Sequence, residues 1–424
     1  MFLQRIALCC LIASTITVRA GELPEAVFPA GVGVNIHFIT GHQRDLDLIS
    51  AAGFKWIRMD FDWAQIERQT NEFDWSAYEE LTANLEKRGM HAIYILDYSN
   101  PLYEEKAVST NPLTHQSQTD IASPQHPESI AAFGRWAAAA ATHFRGKPIL
   151  WEIWNEPNIS FWKPKPNARQ YADLALATCK AIRGANPKAG IIGPACSTFD
   201  WPFLQRFLES GVLQYLDAVS VHPYRPPNRS PETAAADYQK LRGLIERLGN
   251  DDRQKKVPIV CGEWGYSSHQ GGVSPETQAA FIARQQLSNL LCGVPLSIWY
   301  DWMNDGPDPK ENEHNFGTMT HDLQLKPAYV AIRTLTHALA GCRILRRLDL
   351  GEQDYVLVCV DSSGGCKLAA WTTAATHTVS FDLPYASAQL IASVNSDGTN
   401  YVPKRENDRL VMELSAAPKY IMMR

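Results

Sequence analysis

The sequence predicts an α/β protein: a (β/α)8 barrel with a small C-terminal antiparallel β-sandwich module. Three observations carry this prediction. Strand-like and helix-like segments alternate eight times between residues 31 and 342, the order that builds a parallel sheet covered by helices. Two of the strand-like segments end in a glutamate, Glu156 and Glu263, and these lie 107 residues apart. That is about 36 residues per unit across three units, the size of a strand–helix repeat. After residue 342 the texture changes to short β-like runs separated by Gly, Asp, Asn and Pro.

The eight strands are read from apolar, β-branched and aromatic runs bounded by turn residues. The first covers residues 31–38 and is followed by a helix over 44–52. The second covers 54–61, with a helix over 76–88 whose apolar residues recur at helical spacing. The third is 91–97, followed by the Ala-rich helix 127–144. The fourth, 149–154, ends where Pro157 removes a backbone donor, and its helix is 168–184. Strands five and six cover 189–194 and 216–222, each with a helix after it. The seventh covers 257–263 with a helix over 275–292, and the eighth 295–300 with a helix over 327–340. Beyond the barrel (31–342), the module (343–424) has β-like runs at 355–360, 367–371, 379–383, 410–414 and 420–423. Residues 22–30 are a candidate addition to it. No chemical motif falls in the module, which reads as structural.

Composition narrows the partners. A net charge of −5 with 20% charged residues gives no electrostatic reason for a nucleic-acid or anionic-membrane partner. Residues 1–20 are expected to be a signal peptide: Arg5 is the positive n-region, 6–18 the apolar run and Val18-Arg19-Ala20 the cleavage site. The run is short for a spanning helix, so a secreted or periplasmic location with no membrane contact after cleavage is expected. Without Cys9 and Cys10, seven scattered cysteines remain and no C-x-x-C, neither a disulfide framework nor a zinc site. Cys359 and Cys366 flank a turn, D-S-S-G-G, so a hairpin disulfide between them stays open.

The chemistry lies in two stretches, I-L-W-E-I-W-N-E-P-N from residue 149 and V-P-I-V-C-G-E-W-G from residue 257. Each delivers a glutamate to the C-terminal end of a strand, the barrel edge on which active sites are built. Two facing carboxyl groups can cleave a glycosidic bond, one protonating the leaving oxygen while the other attacks the anomeric carbon or activates water. The attacking group needs donors and positive charge beside it. Arg58 on the second strand is a fixed cation, the lesser alternative being a bridge to Asp60 or a neighbouring helix. Tyr224, just after strand six, is a phenolic donor. Asn155 is placed to hold a sugar 2-hydroxyl, and His222 to donate to a sugar hydroxyl or to a carboxylate. Trp299 at the end of strand eight is a candidate apolar floor. His37, Trp264 and Trp302 are divided between substrate contact and core, and Trp63 and Trp162 lean to packing.

Asn155-Glu156-Pro157, His222-Pro223-Tyr224, Glu263 and Trp299, at the ends of strands four, six, seven and eight, resemble the pattern of clan A glycoside hydrolases. That resemblance implies Glu156 as acid/base, Glu263 as nucleophile, and retention of anomeric configuration. W-N-E-P-N, the R-x-D-x-x-W-x-x-I-E run over 58–67 and the C-terminal β-module most resemble family 39, which includes β-xylosidases and exopolysaccharide-cleaving enzymes; family 5 is next. Many family 5 enzymes carry a histidine at the end of strand three, where this chain has Asp97-Tyr98. The expected partner is a poly- or oligosaccharide, and no cofactor or metal is expected, since His37 and His222 alone do not make a ligand set. A non-catalytic carbohydrate-binding barrel and a transglycosylase using the same glutamates are the alternatives. Two long connections crowd the same face. Residues 99–125 show no helical or strand period, and 301–325 are rich in Asp and Glu, as a solvated loop or as hydrogen-bond partners for sugar hydroxyls.

Overall fold

The structure, a computed structural model, describes residues 21–110, 117–383 and 389–423; the expected signal peptide lies outside these. Eight parallel strands close into a barrel: β1 (Val32–Asn35), β2 (Trp56–Asp62), β3 (His91–Asp97), β4 (Ile149–Ile153), β5 (Gly190–Ser197), β6 (Ala218–His222), β7 (Ile259–Trp264) and β8 (Ser297–Trp299). Closure is made by β1, whose Gly33 pairs with Trp56 of β2 on one side and Ile298 of β8 on the other. The expected helices are all present, from Gln43–Ala51 after β1 to Pro327–Ala338 after β8. Several begin as their sequence dictates. Asn167, Asp200 and Ser274 each accept backbone N–H bonds from the first turn of their helices, satisfying donors that have no partner within the helix.

Inside the barrel the side chains are layered. Trp56, Ile93, Leu150, Ile192, Ala218, Val260, Leu296 and Ile298 fill its lower interior, with Leu23 packed against them. The segment before β1 therefore closes the bottom of the barrel; it contributes no strand to the module. Two residues further along the strands the interior turns polar, with Arg58, Glu152 and Ser220. This step from an apolar plug to a charged layer fixes the height of the site.

The C-terminal region folds as two antiparallel sheets. One has five strands in the order Cys342–Arg347, Asp354–Asp361, Cys366–Thr372, Lys419–Met423 and Leu390–Asn395; the other has His377–Asp382, Arg409–Leu414 and Lys404–Glu406. Val356, Val358, Leu368, Ala370 and Ile421 meet Phe381, Leu410 and Met412 between the sheets. The alternate residues Leu357, Cys359, Ala369, Trp371 and Tyr420 join the core that runs through the barrel helices. There Trp371 Nε1 donates to Glu232 Oε1 at 2.8 Å, on a carboxylate that Arg284 also holds at 2.7 and 2.8 Å.

The same alternation excludes the hairpin disulfide. Cys359 pairs with Lys367 and Cys366 with Val360, so the two thiols lie on opposite faces of the sheet, one toward the barrel and one in the sandwich core. Both are free. Residues 99–125 also differ from expectation, for they carry a hairpin, Lys106–Thr110 with Ser117–Ile121. Its strands cover no core layer, so no apolar alternation marked them. The strands Cys342–Arg347, Leu390–Asn395 and Lys404–Glu406 escaped sequence reading for a similar reason, being largely exposed.

Candidate active site

Backbone irregularities at two strand ends aim the two glutamates. On β7, Cys261 pairs with Ser297 of β8 but Trp264 pairs with Trp299, so three steps on β7 match two on β8. The extra residue is a bulge. It lets Gly262 and Glu263 both face the interior while Trp264 turns back to the helix layer. Gly262 has no alternative there: a Cβ would lie 2.9 Å from Glu152 Oε1 and 3.2 Å from His222 Nε2. On β4 the irregularity is conformational. Trp154 and Glu156 have φ of 65° and 44°, left-handed values that cost a non-glycine residue about 1–3 kcal/mol each. They turn the chain so that Trp154 is buried and Asn155 and Glu156 meet the barrel mouth. Glu156 N–H is held by the Ala195 carbonyl at 3.1 Å.

Arg58 is the hub. It is 1% exposed, and its Nε donates to Glu152 Oε2 at 2.7 Å, Nη1 to Glu263 Oε2 at 2.6 Å and Asn35 Oδ1 at 3.3 Å, and Nη2 to Asn155 Oδ1 at 2.8 Å. Burial opposes the charge, but Glu152 and Glu263 outweigh it and hold the guanidinium above its ordinary range. Tyr224 Oη donates to the other oxygen of Glu263 at 2.7 Å. Burial and the Glu263 charge push its own ionisation well up, so the phenol stays a donor. Glu263 thus accepts at both oxygens, once from a cation. Glu156 stands differently, its Oε1 2.9 Å from His222 Nδ1 and its Oε2 without a partner among the described residues. His222 is fully buried, and among the described residues its Nε2 has no partner that would fix the tautomer. Oxygens of Glu156 and Glu263 lie within 4.8 Å of one another.

A second polar group faces the same mouth. His37 Nε2 is 3.5 Å from Asp301 Oδ2, with Asp305 close by. Burial lowers the His37 pKa, yet Asp301 prevails and raises it to about 9. Burial raises that of Asp301 to about 7, against the pull of His37. Asp60 and Asp97 face one another nearby; burial and their mutual proximity hold the fully buried Asp97 carboxyl well above the usual range. Two trios have the donor types of a cation site, Glu156/His222/Glu263 and His37/Asp301/Asp305. In each, a protein cation (Arg58 or the His37 imidazolium) already supplies positive charge.

The structure therefore brings together Glu156, Glu263, Arg58, Asn155, His222 and Tyr224, and places His37 at the rim. His222 acts on a carboxylate and is too buried to touch a sugar. The three tryptophans are corrected. The β8 interior residues are Leu296 and Ile298, so alternation puts Tyr300 inward and Trp299 outward. Trp299 is fully buried, with Nε1 directed to the Phe316 carbonyl. Trp264, its β7 partner, is equally buried, and Trp302 turns away to Asp45 at 2.9 Å. Trp63 and Trp162 are packing residues, both fully buried. Sequence reading missed Tyr300, which lies edge-on to His37 and Phe316. It also missed Glu152, although its inward parity two residues after Leu150 was a usable signal.

Comparison with known proteins agrees with this geometry. The model of the family described as Cellulase (glycosyl hydrolase family 5) matches residues 28–305. A β-xylosidase of Geobacillus stearothermophilus is 36% identical over 97 residues, which span 22% of this chain and 19% of that enzyme. A family 39 glycoside hydrolase from Bacteroides cellulosilyticus WH2 superposes with a TM-score of 0.79 at 23% identity, covering 96% of this chain and 83% of that one. A family 39 β-xylosidase from Caulobacter crescentus gives 0.65 at 17% identity, over 96% and 98% of the two chains. At these identities the likeness to family 39 is one of fold. The family model spans well over half of the sequence, and the chain belongs to the clan A glycoside hydrolases of the Cellulase family, glycosyl hydrolase family 5.

Proposed function

We propose that this protein cleaves β-glycosidic bonds of a poly- or oligosaccharide with retention, Glu263 acting as nucleophile and Glu156 as acid/base. One observation carries the reading: an oxygen of Glu156 lies within 4.8 Å of an oxygen of Glu263, and the two carboxylates are held by unlike partners. Retaining enzymes place this pair ~5–5.5 Å apart, whereas inverting enzymes need ~6.5–9.5 Å to admit a water between them. In the first step a Glu263 oxygen bonds to the anomeric carbon, the bond to the leaving oxygen breaks, and Glu156 gives that oxygen its proton. In the second, Glu156 takes a proton from water, the water oxygen bonds to the anomeric carbon, and the ester to Glu263 breaks.

The partners divide the roles. Arg58 and Tyr224 orient Glu263 by donating to both of its oxygens, while Glu156 meets the His222 imidazole at one oxygen. Asn155 spends its oxygen on Arg58 and one N–H on Tyr98, leaving a second N–H for a sugar hydroxyl. The β-xylosidase relatives support a xyloside as the substrate. The test is intact mass after incubation with 2-deoxy-2-fluoro xylosides, glucosides and mannosides bearing a good leaving group. Gain of one glycosyl unit, absent in Glu263→Ala, is expected. Turnover without any covalent species would contradict the assignment.

A further inference from the structure

Beside the catalytic cluster lies a cavity of about 270 Å³ lined by Tyr98, Ser99, Asp120, Ile121, Phe161 and Lys163. Its walls come from two different connections. The hairpin after β3 supplies Asp120 and Ile121, and the loop after β4 supplies Phe161 and Lys163. They are tied together: Ser123 N–H donates to the Lys163 carbonyl at 3.1 Å and Lys163 N–H to Ser123 Oγ at 2.8 Å. Lys163 Nζ reaches across to Asp120 Oδ2 at 2.9 Å, where Ser109 and Gln118 also donate. The hairpin is thereby fixed as a wall.

Phe161 is the feature the fold does not explain. Its neighbour Trp162 is fully buried, yet Phe161 is 41% exposed. It lies nearly parallel to Tyr98, at 19° with centroids 6.0 Å apart. An aromatic face open to solvent, flanked by a phenol and an ammonium–carboxylate pair, is the chemistry that takes one pyranose ring: C–H faces on the ring, hydroxyls on the polar groups. Hydrogen bonds link the cavity wall to the reaction centre. Tyr98 Oη accepts from Asn155 Nδ2 at 3.2 Å, and Asn155 accepts from the same Arg58 that holds Glu263.

We infer that this cavity is a sugar subsite, with Phe161 as its stacking platform and Tyr98, Asp120 and Lys163 as its hydroxyl contacts. The protein then engages at least two consecutive rings of its substrate. The inference rests on the carbohydrate reading of Glu156 and Glu263 and deepens it.

The test compares wild type, Phe161→Ala and Phe161→Tyr on two kinds of substrate. One is the glycosyl fluoride of the sugar that labels the enzyme, whose leaving group brings no ring to the cavity. The other is the β-linked di- to tetrasaccharide series of that sugar. Phe161→Ala is expected to lower kcat/KM on the oligosaccharides ~10-fold, the scale of one lost stacking contact. It should leave the fluoride within about twofold, and Phe161→Tyr should restore the oligosaccharide rate. An equal loss on both substrates, or on neither, overturns the subsite. Failure of the catalytic reading is distinguishable, since wild type would then turn over no glycosyl fluoride. Calorimetric titration with xylotriose, cellotriose and mannotriose would still test the cavity: binding weakened by Phe161→Ala supports it, and no binding to wild type overturns it.

Discussion

Replacing Arg58 with Met separates what this residue does for the fold from what it does for the reaction. Among the described residues Arg58 is the only partner of Glu152 Oε2, and Glu152 Oε1 has none. Both side chains are at most 1% exposed. Removing the guanidinium strands a carboxylate with no route to water, a change that costs about 3–5 kcal/mol. Glu263 loses the charged one of its two donors but keeps Tyr224, and loss of one such contact lowers kcat by ~10²–10³. The double variant Arg58→Met/Glu152→Gln removes the stranded charge as well. It should recover most of the stability in urea titrations while activity stays at least ~10²-fold down. The reasoning is refuted if the single variant unfolds within about 1 kcal/mol of wild type, or if the second substitution restores nothing.

Tyr224→Phe removes the 2.7 Å bond to Glu263 Oε1. A hydrogen bond to a charged group contributes about 1.5–3 kcal/mol, so kcat/KM should fall ~10- to 100-fold; a change within twofold would show that the phenol does not act on the nucleophile. For the rim pair, His37 should titrate near pH 9 by NMR and fall back toward its ordinary value in Asp301→Asn. The fold favours the protonated forms of both groups, so the His37 contribution is full below about 6.5 and lost as pH rises through about 9. Asp301, raised from 3.8 to about 7, acts in the same direction at lower pH, its contribution being lost as pH rises between those two values. Stability should therefore decline between about pH 7 and 9, and an imidazole midpoint unmoved by Asp301→Asn would exclude the pairing.

Much of this site was legible in the sequence because the signals are local. Each barrel strand is an apolar run with its own turn residues, and Glu156 and Glu263 follow two of them at the repeat spacing. Arg58, Asn155 and Tyr224 were placed by the same logic, one strand end at a time. What the sequence hid is non-local. The bulge at Gly262–Glu263 appears only in the pairing of β7 with β8, and it decides that Glu263 faces in while Trp264 faces out. Trp299 and Tyr300 are adjacent aromatics, so a one-residue error in parity exchanges platform for core. The ion pair of His37 with Asp301 joins residues 264 positions apart through closure of β1 on β8, and Phe161 stands out from Trp162 only by exposure.

The central claim is that Glu263, clasped by Arg58 and Tyr224, forms the bond to the sugar. Peptide mapping of enzyme trapped with a 2-fluoro glycoside tests this most directly. A single glycosyl ester is expected on the peptide carrying Glu263, with Glu156 unmodified. An adduct on Glu156 or on any other residue would contradict it.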